Sequence, residues 1–328
     1  LRIGGDPVVT GYVDRYAISA DKRGGTAIKV TGRGRCQDLV DCSAYLRAAS
    51  NQIRAAPARE VITQLAAIYG VGVDARAGDG AVVPQFNVIL TETAWDIIDR
   101  VARHSDFLAY EGSDGRLVLA RLGTERMASG FVQGENVEDA TVTFAADRRY
   151  SLYEAVFQPV ETLFQVAQAS ASPDYNTRER VGDPTIGADA PGTGRRFRPL
   201  VLIAEVAQQD PNFIIRRLEW ERGRRYGRSQ AVEVTVDSWR DSAGELWRPN
   251  RLAPIRLPAL KLPQAEWLIS EVQFLRGKDG TRARLTLMPP QAFAPQPIIL
   301  EPFDPQTFND LARTDTARNV LGPNLVTP

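Results

Sequence analysis

GYVDRYAIS, Gly11–Ser19, and TAIKVTGRGRCQDLVDCS, Thr26–Ser43, form the stretch that decides the fold. Ile28 and Val30 point one way while Ala27, Lys29 and Thr31 point the other, which is the alternation of a strand with one wet face. Asp21–Gly25 is turn chemistry, with two glycines free to take positive φ. The pair therefore reads as a hairpin that ends in a Gly-Arg corner and an acidic, cysteine-bearing segment. It carries no arrangement suited to catalysis or metal binding. The corner Gly32–Arg35 lacks the lysine and the spacing of a phosphate loop.

Working outward, the bulk numbers describe an ordinary globular chain. It has 328 residues, 43% apolar and 24% charged, enough to bury a sizeable core in two or three domains. Forty basic and 40 acidic residues cancel, so net charge makes no case for wholesale binding to nucleic acid or membrane. No run of about 18 apolar residues would cross a membrane, and no signal peptide is visible. The chain opens at Leu1 in the run-up to a strand, and upstream residues are expected to be missing from it.

The residues that usually carry chemistry are sparse. Cys36 and Cys42 are too few for a disulfide scaffold or a zinc site, and read as reduced thiols. His104 is the sole histidine. One histidine makes no triad, and its place near the end of a helix suits a cation at the negative end of the macrodipole. Asp38 and Asp41 read as strand-end carboxylates rather than an acid–base pair.

Beyond the hairpin the pattern turns helical from about Asn51. Pro57 suits a helix start, Val61, Leu65 and Ile68 form its stripe, and Gly70 is its stop. A short strand, Val71–Val73, follows. Thr93 with Asp96 forms a capping box for a second helix, striped by Trp95, Ile98 and Ala102. Phe107–Arg121 reads as a hairpin around Ser113-Asp114-Gly115. Strand character returns at Ala140–Phe144 and Tyr153–Phe157. Ser170–Pro199, rich in Gly, Pro, Asp and Arg, reads as a long surface loop. A helix then runs from Asp210-Pro211 to about Tyr226. Strands follow at Ala231–Asp237, Ile255–Leu257, Trp267–Leu275 and Thr281–Leu287, with Val232, Val234 and Val236 on one face and Ala283, Leu285 and Leu287 on another.

Three further patterns stand out. VDRYAIS, Val13–Ser19, lines up with ISEVQFL, Ile269–Leu275, and Ile28 and Val30 then fall in phase with Ala283 and Leu285. This is either the shared rhythm of any two hairpins or a duplicated β-domain. Arg216, Arg217, Arg222, Arg224, Arg225 and Arg228 crowd one helix, interleaved with Glu219 and Glu221. That helix reads as a solvated face, a subunit contact or a nucleic-acid site. After Pro289 a proline-rich arm carries Phe303 and Phe308 and reads as packing on its own chain or a neighbour, or as a disordered tail.

Together these blocks carry a resemblance. GYVD (Gly11–Asp14) and GRGRCQDLVDCS (Gly32–Ser43), with SWRDSAGELWRPN (Ser238–Asn250), WLISEVQFL (Trp267–Leu275) and LMPPQAF (Leu287–Phe293), resemble the tail baseplate hub proteins of Mu-like contractile phages, of the late control protein D and contractile-tail hub kind. Specificity comes from the combination and order of the blocks; residues 51–230 match by layout. The resemblance implies a mainly β chain with α/β insertions and two small antiparallel β-barrel-like domains, three chains forming a ring with pseudo-sixfold symmetry.

On that pattern, residues 1–50 are the first barrel domain, 51–125 an α/β insertion, 126–165 and 229–293 the second barrel, 166–228 a loop and helical insertion, and 294–328 an extended arm. The implied role is structural: a non-enzymatic homotrimer in the virion tail baseplate that joins the central spike to the tail tube or its initiator and lets double-stranded DNA pass. Baseplate wedge proteins and the tape-measure protein are further implied partners. No catalytic, cofactor or metal residues are implied, and no membrane insertion. Arg216, Arg217, Arg224, Arg225, Phe303 and Phe308 are the candidate contacts with other subunits or partners. The rival readings are a tail-associated cell-wall hydrolase and a nucleic-acid-binding module on the arginine helix.

Overall fold

The computed structural model describes residues 1–20, 22, 25–45, 52–88, 91–157, 178–192, 194–204, 211–278, 280–298 and 300. The fold is mainly β, with few helices, as the sequence reading expects. Short strands β1 (Arg2–Ile3) and β2 (Asp6–Pro7) precede the hairpin β3 (Gly11–Ala20) and β4 (Thr26–Gly34), which leads to α1 (Gln37–Asp41). An α/β unit follows: β5 (Gln52–Pro57), α2 (Ala58–Ile68), β6 (Val73–Ala75), β7 (Val82–Asn87), α3 (Ala94–His104), β8 (Leu108–Glu111) and β9 (Leu117–Ala120). Next come β10 (Glu125–Arg126), β11 (Phe131–Val132) and β12 (Val137–Phe144), then β13 (Leu152–Phe157), β14 (Arg178–Gly182), β15 (Pro199–Ala204) and α4 (Pro211–Arg228). The chain closes with β16 (Gln230–Val236), β17 (Arg251–Leu257), β18 (Leu262–Gly277) and β19 (Gly280–Met288).

The α/β unit is built on the two amphipathic helices. Val61, Ile62, Leu65 and Ala66 of α2 meet Ile97, Ile98, Val101 and Ala102 of α3 in one buried cluster. Trp95, placed on the stripe by its spacing, is only half-buried, while Ile97 and Val101 take the core. At the start of α3 the capping box is complete: the Asp96 amide donates to Thr93 Oγ1 at 3.1 Å, and the Thr93 amide donates to Asp96 Oδ2 at 2.9 Å. These bonds hold the Asp96 carboxyl below its ordinary range. Thr93→Ala is therefore expected to cost about 1 kcal/mol, read as a lower urea midpoint at unchanged slope.

Two expectations for this region change. Gln52–Pro57 is a strand, not the first turns of a helix, because it pairs antiparallel with β7; Pro57 stands at the N-cap and the helix starts at Ala58. The unit's core also begins upstream of residue 51. Cys36 and Leu39 are part of the cluster, since α1 packs against α3.

The large sheet runs β10-β17-β18-β19-β16-β12, with β11 also on β17. Its centre follows the alternation of the sequence. Val232, Val234 and Val236 pair with Leu287, Leu285 and Ala283 across β16 and β19, and all six are fully buried. Each buried valine or leucine contributes about 1.5–3 kcal/mol relative to exposure, so this seam anchors the second core with Phe131, Trp247 and Trp267. Among the described residues the sheet does not close on itself: β12 forms one margin, β10 and β11 the other.

β13 does not join that sheet, as a 126–165 segment of the second barrel would require. It pairs antiparallel with β14 and parallel with β15, so Arg178–Gly182 is a strand where the composition suggests loop, and Pro199–Ala204 is a strand that starts where that loop was expected to end. Tyr153 and Ala155 of β13 face Ile214 and Leu218 of α4 in a third core. The inserted unit therefore starts near Ala145, whose amide donates to Ser229 O at 2.8 Å and stitches the two ends of the insertion together.

The echo between the two hairpins extends to their register. Tyr16 pairs with Val30 and Ile18 with Ile28; at the aligned positions Val272 pairs with Leu285 and Phe274 with Ala283. A bulge falls between Val13 and Arg15 in β3 and between Ile269 and Glu271 in β18, the same step of the alignment. The two hairpins differ in what surrounds them. β17 and β16 flank β18 and β19, and Ile269, Ala283 and Leu285 are fully buried. Among the described residues β3 and β4 pair only with each other, leaving Tyr16, Ile18, Ile28 and Val30 exposed at 71, 63, 67 and 60%.

Candidate functional site

The Gly-Arg corner is held by a charge network. Arg33 Nε donates to Asp14 Oδ2 at 3.0 Å and its Nη2 to Asp41 Oδ2 at 2.5 Å, so one guanidinium ties the bulge residue of β3 to the end of α1. That guanidinium holds the Asp41 carboxyl below its usual range. Gly34 leaves room for Glu111, whose carboxylate would overlap any Cβ there. Glu111 accepts from the Cys36 amide at 3.4 Å, and burial pushes its pKa up. The corner is thus a joint between the hairpin and the α/β unit.

Among the described residues the two cysteines are free thiols and the histidine belongs to no metal-binding cluster. Burial, followed by the charges of Glu111 and Asp114, pushes the Cys36 thiol up to about 12, leaving it protonated and inert; Cys42 is exposed and unpaired with it. His104 ends α3, and its Nδ1 lies 3.3 Å from the Leu300 amide. Among the described residues no group of three or more His, Cys, Asp or Glu could hold a metal ion. No described helix is long and apolar enough to cross a membrane.

A cleft of about 630 Å³ lies between the α/β unit and the large sheet, lined among others by Tyr110, Glu111, Glu125, Trp247 and Phe274. Its two carboxylates are already engaged: Glu111 caps the start of α1 and Glu125 is paired with Arg251.

The arginine helix is largely committed to its own chain. Arg217 and Arg224 both stack on Trp220, 4.6 and 5.0 Å from its ring centroid. Arg225 donates to Glu221 at 2.6 Å and to Arg148 O at 3.1 Å, and stacks on Tyr150. Arg222 donates to Gly182 O and Arg228 to Ala292 O. Arg216 is exposed, 5.6 Å over Phe213. Of the six candidate contacts, Arg216, Arg217, Arg224 and Arg225 thus lie on one helix, with Arg225 turned inward. Phe303 and Phe308 lie outside the described residues.

Sequence reasoning missed the exposed apolar face of β3 and β4. Its alternation was legible, but which face stays uncovered depends on partners the pattern does not name.

Comparison with known proteins agrees with this architecture. The family description "Baseplate hub protein gp44-like, second domain" matches residues 36–121, which begin at Cys36 as the α/β core does. "Mu phage baseplate assembly protein GpP, fourth domain" matches residues 211–296, from α4 to the end of the second core. The baseplate hub protein gp44 of Escherichia phage Mu is 29% identical over 299 residues, covering 89% of this chain and 75% of that protein. A 43 kDa tail protein of prophage MuSo2 from Shewanella oneidensis superposes with a TM-score of 0.75 at 27% identity, over 88% of this chain and 81% of the other. A tail protein of Neisseria meningitidis shares the fold, with a TM-score of 0.70 at 17% identity over 89% and 83% of the two chains. With a hub domain and a baseplate assembly domain matched in order and a hub relative aligned along most of its length, this chain is similar to the Mu-like phage baseplate hub proteins.

Proposed function

We propose that three copies of this chain close into a ring at the virion tail baseplate, seating the central spike on one side and the tail tube or its initiator on the other. The observation that carries this reading is the repeated hairpin. Two hairpins with one register and one bulge position give each chain two equivalent seats, so a threefold ring presents six. That number suits a junction between a trimeric spike and a sixfold tube, through which DNA passes on ejection. The first hairpin belongs to a β-domain whose apolar face is covered only in the assembled protein. The second hairpin belongs to the domain built by β12 and β16–β19.

The remaining partners follow from position. Arg216, exposed on α4, with the half-buried Arg217 and Arg224 beside Trp220, is assigned to neighbouring subunits or wedge proteins, whereas Arg225 is held by Glu221, Arg148 O and Tyr150 and would support that face from within. Phe303 and Phe308 are assigned to the same kind of contact, and the tape-measure protein to the tube side of the ring. No enzymatic role is assigned.

Mass photometry of the chain with its spike protein tests the ring. The expected species contains three copies of the 36.1 kDa chain, alone or with the mass of the bound spike added. A monomer at every concentration, with the spike present, would overturn the reading.

A further inference from the structure

We propose that β15 is an open docking edge for an extended segment of a partner protein, a run of aliphatic residues that ends in carboxylates. β15 lies at one edge of its three-stranded sheet, and among the described residues it pairs only with β13. The ladder runs without a register shift from Leu152–Pro199 to Phe157–Ala204, so the edge has no bulge. Its 6 residues, Pro-Leu-Val-Leu-Ile-Ala, carry no charge.

The main-chain groups on that edge are unused. Arg198 O accepts from the Ser151 amide at 2.9 Å and from the Leu152 amide at 3.3 Å, so Arg198 turns its main chain toward β13. By the alternation of a paired strand, Leu200 and Leu202 turn theirs the same way, while Val201 and Ile203 turn theirs outward. Among the described residues no hydrogen bond joins Val201 or Ile203 to anything outside the β13 ladder. Pro199, with no N–H to offer, falls on the same outward side, where a strand tolerates it. The side chains agree. Val201 and Ile203 are 55 and 70% exposed, and Leu200 and Leu202 are half-buried against the third core. An added strand would meet aliphatic neighbours on both of its faces, as a strand inside a sheet does.

The edges at β12 and β14 are built differently. β12 carries Glu138 and Asp139, with a bulge between its pairs at Val137 and Asp139. β14, at the opposite edge of the β15 sheet, carries Glu179 and Arg180. Charges and bulges are how natural sheets refuse a further strand, and β15 has neither. Charge also selects the partner. Arg195 and Arg196 are exposed just upstream of β15, and among the described residues Arg196 has no ion pair. A strand laid antiparallel on β15 brings its C-terminal end to these guanidinium groups, which is where carboxylates belong.

A fluorescein-labelled peptide, Val-Thr-Val-Ile-Val-Asp-Glu-Asp, is the probe for the full chain. It should raise fluorescence anisotropy on binding and slow hydrogen exchange of the Val201 and Ile203 amides about tenfold. The Leu200 and Leu202 amides, already held by β13, should not change. Val201→Lys should weaken binding about tenfold and, because Val201 is exposed, leave the urea midpoint in place. Thr143→Lys, on the margin of the large sheet, should bind as the parent does. The same peptide ending in Lys-Lys-Lys should bind more weakly, and the difference should vanish when Arg195→Glu and Arg196→Glu are combined. Absence of protection at Val201 and Ile203, protection of both amides in the parent alone, or equal binding of the two peptides would overturn the assignment. So would concentration-dependent self-association of the chain that Val201→Lys abolishes, since a second copy would then occupy the edge.

Discussion

Val30→Asp is expected to abolish incorporation of this chain into baseplates while leaving the isolated chain as stable as its parent. Val30 pairs with Tyr16 and shares its face with Ile18 and Ile28, and all four are exposed in the single chain. A charge there touches no core, so the urea midpoint should move by no more than about 0.5 kcal/mol equivalent. Once a partner covers the face, the same carboxylate would be desolvated without a counter-charge, which costs several kcal/mol per copy. At the aligned position of the other hairpin, Leu285 is fully buried, so Leu285→Asp should prevent folding of the second core outright. Lys29→Asp, one residue away on the wet face, should assemble normally. Electron microscopy of tails from complemented lysates distinguishes these outcomes. Normal tails containing the Val30→Asp chain would show that the face is not an assembly surface.

The second large effect is expected at Arg149. Its Nη2 donates to Asp183 at 2.6 Å and to Thr185 at 2.6 Å, and its guanidinium lies 5.1 Å over the ring of Tyr226. Asp183 is buried. Burial alone would raise its carboxyl, but the bonds from Thr185 and Arg149 outweigh this and hold it below the ordinary carboxylate range. Arg149→Ala removes the counter-charge and leaves a buried carboxylate, a change that costs about 3–5 kcal/mol. Because the folded pKa is depressed, the pair's contribution is fully present above the unfolded carboxylate value and is lost as pH falls through the depressed one. Denaturant midpoints measured from pH 7 downward should therefore fall for the parent in acid, and the gap between parent and Arg149→Ala should narrow. A pH-independent difference would place the loss in packing against Tyr226 instead. Asp183→Asn in the Arg149→Ala background should restore part of the stability.

The elements that could be read without coordinates were those whose partners are local or whose pattern is long. The Thr93–Asp96 box, the α2 stripe and the alternation of Val232–Val236 against Ala283–Leu287 follow from spacing alone. Those that could not be read take their structure from distant partners. Gln52–Pro57 contains helix-favouring alanines, yet the ladder to Val82–Asn87 makes it a strand. Arg178–Gly182 looks polar and irregular until β13 supplies its ladder, and that pairing also draws β13 away from the large sheet. For the candidate site, composition located the arginine helix. It could not show that Trp220, Tyr150 and main-chain carbonyls engage most of its guanidinium groups. The pairing of the two hairpins was audible in sequence, but the coincidence of their bulges required the register.

That coincidence has a geometric consequence. A bulge adds a residue to one strand and tightens the local coil of the pair. Asp14 and Ser270 therefore do more than mark the same step in two alignments: each places a bulge, and with it a bend, just before the Tyr16–Val30 and Val272–Leu285 pairs. Removing Asp14 would leave Val13 on its present face by ordinary alternation yet straighten the first ribbon. The place at which each hairpin bends is thus written into a single extra residue.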